Sequence, residues 1–323
     1  MTDRRTVLKT SIASLLAGFS AGRVQAQGAG PVVLITGCSS GFGRLTALEF
    51  ARAGYRTVAS MRNLATDNAG PAEDLRAIAA SEGLALKVVE IDVRDDASVS
   101  SGHAAAVAAY GPVEILVSNA GIGIPLPAGL SIPATQEVME TNFYGGLRMA
   151  HAVLPGMRAQ NRGLIIQVTS ALGRYTLPLY AAYCASKHAL EAAFTALAYE
   201  MHPFGIETTL IQPGGYDTMF KENARRDVNR YLERISEDRQ APYSDHIDAL
   251  ENILREQRTP PPRQIARAIL AVAEMPRGER PLHVAEGPGM SDLAPLNERL
   301  TDVTESSLRY YIDRPDWMDV DMG

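Results

Sequence analysis

The sequence predicts an α/β fold: one domain built on a doubly wound parallel sheet of the Rossmann type, with a helical substrate lid. Two observations predict it. From residue 31 onward, short unbroken apolar runs alternate with longer stretches of helical character, the pattern of strands buried on both faces of a parallel sheet. The first strand and first helix are joined by a turn rich in glycine and serine, residues 36–43, and right-handed crossovers then wind such units into an open twisted sheet.

The elements follow in order. Residues 32–36 are an apolar first strand and 41–53 the first helix. A second strand at 55–60 leads to a helix at 71–81, and a third strand at 86–91 to a helix at 95–110, with Asp95 in its acidic first turn. The fourth strand, 113–118, precedes a long helix over 133–158. The fifth, 164–169, precedes a helix over 181–201, and the sixth occupies 206–211. Residues 216–262 break this rhythm. They are charged, helical in flavour and end in Thr259-Pro260-Pro261-Pro262. They read as a lid over the site, or equally as a solvated surface helix pair. A helix at 263–274 and a last strand at 281–285 complete a domain over 31–290, and 291–323 form a C-terminal extension.

Composition sets the limits. At 323 residues and 46% apolar content the chain builds a real core. A net charge of −6 gives no footprint for nucleic acid. Two cysteines, Cys38 and Cys184, without zinc-type spacing indicate neither a disulfide framework nor a metal. No segment after the N-terminus is apolar and long enough to span a bilayer. Residues 1–26 stand apart: Arg4-Arg5 and Lys9 precede a mildly apolar run, and Val24-Gln25-Ala26 offers a small-residue cleavage site. That order reads as a signal peptide, and the paired arginines resemble a twin-arginine export signal. The expected location is therefore the periplasm, with an uncleaved cytoplasmic protein as the alternative. After signal cleavage no stable membrane insertion is expected, and the chain is expected to form a homo-oligomer.

Two motifs carry chemistry. Gly37-x-x-x-Gly41-x-Gly43, with Ser39, Ser40 and Phe42 between, lies between the first strand and helix. Glycines there let the backbone approach a pyrophosphate, which then sits at the positive end of the helix. Tyr183 and Lys187, four residues apart, share one face of a helix. A phenol beside an ammonium suits proton exchange with an oxygen, because the cation favours the phenolate and lowers its pKa.

With these motifs the chain resembles the classical short-chain dehydrogenases/reductases from about residue 32 to 218. The resemblance implies a catalytic set of Asn142, Ser170, Tyr183 and Lys187, in which Tyr183 exchanges the proton, Ser170 fixes the substrate oxygen, Lys187 lowers the phenol pKa and holds the nicotinamide ribose, and Asn142 holds a water linking Lys187 to solvent. It implies a cofactor site made by Gly37, Ser39, Ser40, Gly41, Phe42 and Gly43 at the pyrophosphate, Asp92 and Val93 at the adenine, Asn119, Ala120 and Gly121 at the floor, Tyr183 and Lys187, and Pro213, Gly214 and Thr218 against the nicotinamide. Thr36-Gly37-Cys38-Ser39-Ser40-Gly41 and Tyr183-Cys184-Ala185-Ser186-Lys187 are similar to the 17β-hydroxysteroid and retinol dehydrogenase-like branch. The second strand ends without a carboxylate but with Arg62, which can pair with a 2′-phosphate. NADP(H) is the expected cofactor, with NAD(H) possible. The expected substrate is a hydrophobic alcohol or carbonyl compound, since 123–127 and 172–173 are mostly apolar. An NAD(H)-linked alcohol dehydrogenase and a non-catalytic cofactor-binding protein are the rival readings.

Overall fold

The computed structural model describes residues 28–255 and 259–312, with 314 and 317. The expected export segment, 1–26, lies outside the described residues. Seven parallel strands form one sheet in the order β3-β2-β1-β4-β5-β6-β7: β1 (Val32–Ile35), β2 (Arg56–Met61), β3 (Leu86–Glu90), β4 (Ile115–Ser118), β5 (Gly163–Val168), β6 (Ile206–Pro213) and β7 (His283–Glu286). The chain moves outward from β1 to β3, returns to place β4 beside β1, and moves outward again. A crevice therefore opens at the carboxyl ends of β1 and β4, where ligands bind in open α/β sheets.

The unbroken apolar runs reflect two buried faces. Val33 and Ile35 of β1 point to one face, where α1 (Gly41–Arg52), α2 (Ala69–Glu82) and α10 (Arg263–Glu274) supply Phe50, Leu75 and Ile269. Val32 and Leu34 point to the other, where α3 (Asp96–Tyr110), α5 (Gly145–Ala159) and α6 (Ala181–Met201) supply Val99, Met149 and Phe194. Period two along a strand makes alternate residues serve opposite layers. Asp95 caps α3 by accepting from Ala97 N at 2.8 Å and Ser98 N at 3.1 Å, so the acidic start of this helix is a true N-cap.

The helix expected over 133–158 is interrupted. It is α4 (Ile132–Met139), a π-helical turn at Glu140–Tyr144, then α5. The π turn inserts a residue into the helical ladder and contains Asn142, whose side chain is anchored on neighbouring elements. The segment 216–262 carries α7 (Met219–Leu232), a short α8 (Glu237–Gln240) and α9 (Ser244–Ile253). Val228, Tyr231 and Leu250 from this segment bury against Ile124, Leu126, Leu130 and Val138. The segment therefore has a small core of its own beside the crevice. Part of the C-terminal extension is a long helix, α11 (Leu293–Tyr311), anchored through Leu293 and Asn297.

Candidate active site

A cleft of about 1200 Å³ runs along the carboxyl ends of the strands, from Arg62, Asp67 and Asp92 at one end to Leu177, Tyr183 and Phe220 at the other. Ordinary small-molecule pockets measure about 300–1,000 Å³, so there is room here for a dinucleotide and a second ligand.

The glycine turn is shaped by what surrounds it. Gly37 takes φ +72°, a left-handed conformation that L side chains rarely adopt. Thr36 Oγ1 accepts from Asn119 N at 2.9 Å and Ala120 N at 3.0 Å, and Asn119 Nδ2 donates to Thr36 O at 2.8 Å. The ends of β1 and β4 are thus tied together under the cleft. Ser40 precedes α1 without capping it through its side chain, which leaves its hydroxyl and the first helical N–H groups able to serve an anion. Those donors, with the bare glycine backbone, fit the pyrophosphate of a nicotinamide dinucleotide.

At the adenosine end, Asp92 is held by Arg94 through a 2.6 Å ion pair. The Arg94 hydrogen bonds hold its carboxyl below the usual range, with Arg62 adding a smaller effect. Asp67 also borders the cleft. Asn63, at φ 54°, donates to its Oδ2 at 3.0 Å, and the turn leaves both this carboxylate and Arg62 lining the cleft. Sequence reasoning missed Asp67 because it looked for a carboxylate only at the strand end. The five-residue return is a turn property, hinted at only by two asparagines.

The other wall carries the reactive groups. Ser170 follows β5 and caps a 3₁₀ turn, Ala171–Gly173, by accepting from Leu172 N at 3.1 Å. Tyr183 occupies the first turn of α6 with its ring edge-on to Tyr180 and Phe220, at 5.8 and 5.5 Å between centroids. Lys187, one turn on, is 4% exposed. Its Nζ donates to Val168 O at 3.1 Å and lies 5.6 Å from the centre of the Tyr183 ring. Asn142 accepts from Ile122 N at 2.8 Å and donates to Ile122 O and Ser186 Oγ, both at 2.9 Å. Both amide donors are spent within the protein, so the side chain fixes the loop after β4 to α6.

One expectation is reversed. Lys187 was expected to lower the Tyr183 pKa. The Tyr183 side chain borders the cleft, but its surroundings are dense, and burial pushes the phenol up while the Ser170 hydroxyl pulls it partly back. Burial lowers Lys187 itself to about 8, against an opposing attraction from Glu191. Desolvation is the largest influence on both groups.

Gly37, Ser39, Ser40, Gly41, Phe42, Arg62, Asp92, Val93, Asn119, Ala120, Gly121, Pro213, Gly214 and Thr218 line the same cleft as Ser170, Tyr183 and Lys187. Gly43 does not line it. A Cβ there would stand 2.3 Å from Gly37 O, so Gly43 lets α1 pack against the turn rather than touching a ligand. Asn142 is also behind the wall, 1% exposed. Met219 and Phe220, within the segment expected to lie over the site, border the cleft.

A family profile described as short chain dehydrogenase matches residues 31–229. The chain belongs to this family. Short-chain dehydrogenases/reductases are NAD(P)-dependent oxidoreductases acting on hydroxyl or carbonyl groups. Among family members, the retinol dehydrogenase 8 of Homo sapiens is 40% identical over 194 residues, 58% of this chain and 60% of that protein. The estradiol 17-beta-dehydrogenase 1 of Rattus norvegicus is 35% identical over 235 residues, 71% of this chain and 67% of that protein. The chain thus spans less than two thirds of the length of the retinol dehydrogenase. An actinorhodin polyketide ketoreductase solved with NADPH shares the fold at a TM-score of 0.61 and 27% identity, over 76% of this chain and 91% of that one. Members of this fold are solved in complex with NAD as well as with NADP.

Proposed function

We propose that this chain catalyses reversible hydride transfer between NADP(H) and a hydrophobic alcohol or ketone. The observation that carries the reading is the meeting of Ser170, Tyr183 and Lys187 on one wall of a cleft whose other half is the glycine turn. When bound, the nicotinamide supplies or accepts the hydride. The protein's residues supply the rest. Ser170 Oγ orients the substrate oxygen. Tyr183, kept neutral by its dense surroundings, gives that oxygen a proton in reduction and takes it back in oxidation. Lys187 supplies positive charge behind the phenol and donors toward the cofactor ribose. Leu172, Leu177, Met219 and Phe220 border the substrate end and favour an apolar ligand, in keeping with relatives named for a retinol and a steroid.

Tyr183→Phe is expected to lower turnover by about 10²–10⁴-fold, the usual worth of a general acid–base group, with cofactor affinity nearly unchanged. A variant as fast as the parent sinks the reading. Binding of NADPH without turnover across a broad carbonyl and alcohol panel would favour the pure binding role.

Arg62 at the adenosine end supports the NADP(H) preference, since a guanidinium pairs bidentately with a phosphate. Asp67 in the same stretch of wall favours NAD(H) as the second reading, since a carboxylate accepts from a 2′-hydroxyl and repels a 2′-phosphate. Initial rates with the two cofactors separate these readings, and Arg62→Asp is expected to reverse the preference; unchanged NADPH kinetics would exclude Arg62 from the choice. Twin-arginine export of the folded enzyme to the periplasm is part of the same proposal, resting on Arg4-Arg5, and cell fractionation tests it. Assembly into a homo-oligomer is tested by light scattering of the purified protein.

A further inference from the structure

Glu191 is, among the described residues, the only carboxylate that is fully buried, at 2% exposure. It stands one helical turn beyond Lys187 on α6. Its Oε1 accepts from Thr169 Oγ1 at 2.5 Å and from Gln212 Nε2 at 3.0 Å. Its Oε2 lies 2.8 Å from Arg174 Nη2 and 3.5 Å from His283 Nε2. Arg174 Nη2 and His283 Nε2 are themselves 2.6 Å apart. Asn297 of α11 closes the cluster by donating to Gln212 Oε1 at 2.8 Å.

The placement of these partners is informative. Thr169 and Arg174 flank the segment that holds Ser170. The turn between them presses on the carboxylate stem: a Cβ on Gly173 would stand 3.0 Å from Glu191 Cγ. Gln212 immediately precedes Pro213-Gly214 of the cleft wall. One carboxylate therefore joins the Ser170 turn, the helix bearing Tyr183 and Lys187, and the end of β6. Stability alone is a poor reason for such a cluster, because replacing a buried ion group by packed apolar residues is often neutral or stabilising. Facing Glu191 are the cations Arg174 and Lys187, His283, and the neutral Thr169 and Gln212. Lys187 faces Tyr183, the Val168 carbonyl and Glu191, which attracts its ammonium.

We propose that Glu191 is a positioning residue for the reaction: its carboxylate clamps the turn that holds Ser170 against the helix that carries Tyr183 and Lys187. This rests on the reading of the site given above. The test compares the full chain with Glu191→Gln and Thr169→Val, using NADPH and the best carbonyl substrate of the panel. Glu191→Gln is expected to lower kcat about 10–100-fold, as small misplacements of reacting groups do, with the KM for NADPH unchanged. It also moves the alkaline limb of kcat/KM to lower pH, because the anion that favours the ammonium is gone. Thr169→Val removes one arm of the clamp without changing charge, so kcat falls and the limb stays in place. A folded Glu191→Gln with kcat within about twofold of the parent and an unmoved limb overturns the proposal. If that variant fails to fold, parental kcat in Thr169→Val overturns it. A parent chain that turns over nothing defeats the functional reading itself, whereas an active parent with an unaffected Glu191→Gln defeats only the role of Glu191.

Discussion

Tyr183 and Lys187 pull apart in pKa. The phenol is raised by burial and the ammonium is lowered to about 8. A phenol that stays neutral near pH 7 is ready to donate, which suits carbonyl reduction. The free-enzyme profile reports these groups through kcat/KM. For reduction, kcat/KM is expected to hold below pH 8 and to decline as the pH rises through about 8, where Lys187 loses its proton; a profile flat to pH 10 would remove Lys187 from the titrating set. Cys38, by contrast, is inert: burial pushes its thiol up to about 12 and its Sγ–H donates to Ile35 O, as expected of a small packed hydrophobe. The residue types and spacings of the reactive set were legible in the chain. The direction of the phenol's shift was not, because it depends on burial, to which the ring of Phe220, 37 residues on, contributes.

At the scale of elements, the glycine turn and the interrupted helix teach different lessons. The turn was readable because its glycines answer to local backbone needs. Gly43 was assigned to the ligand, yet it serves the packing of α1 on Gly37. Gly43→Ala is expected to cost about 1–3 kcal/mol, as overpacking does, and to weaken NADPH binding by displacing the turn; urea unfolding and a fluorescence titration check both. An alanine variant with parental stability would mean that the turn yields freely. The π turn at Glu140–Tyr144 left no trace in periodicity, since helical patterning continues on both sides. Its anchors, Ile122 and Ser186, lie 20 and 44 residues away from Asn142, and no local reading reaches them. The lid helices were visible as charge and proline, but their apolar contacts with 124–138 are tertiary.

Over the whole molecule, alternation of apolar runs and helices was enough to give a doubly wound sheet, and the crossover rule placed the site at its carboxyl edge. The Glu191 cluster was invisible because the segment around Ser170, β6, β7, α6 and α11 each contribute a residue to it. Four carboxyls among the described residues are held below their ordinary range, the exposed Glu82 by Arg52. Asp92 is held by Arg94. At Glu137 and Glu191 burial works the other way but is outweighed, by Tyr231 and Arg230 at the first and by His283 and Arg174 at the second. A lowered folded-state pKa stabilises the fold above the unfolded value, near 4, and that stability is lost as the pH falls through the folded value. Tm is therefore expected to fall steeply below about pH 4, read by circular dichroism; a Tm unchanged down to pH 3 would contradict these assignments.

Thr218 caps the lid helix by accepting from Phe220 N at 3.3 Å, and its Cβ lies 3.6 Å from where a Cβ on Gly41 would stand. Two residues later, Phe220 packs on Tyr183. The first turn of α7 thus rests one foot on the dinucleotide half of the cleft and the other on the reaction chamber. Three consecutive residues thus touch both halves, so an amino-acid change at 218–220 is expected to register in the apparent affinity for both ligands at once.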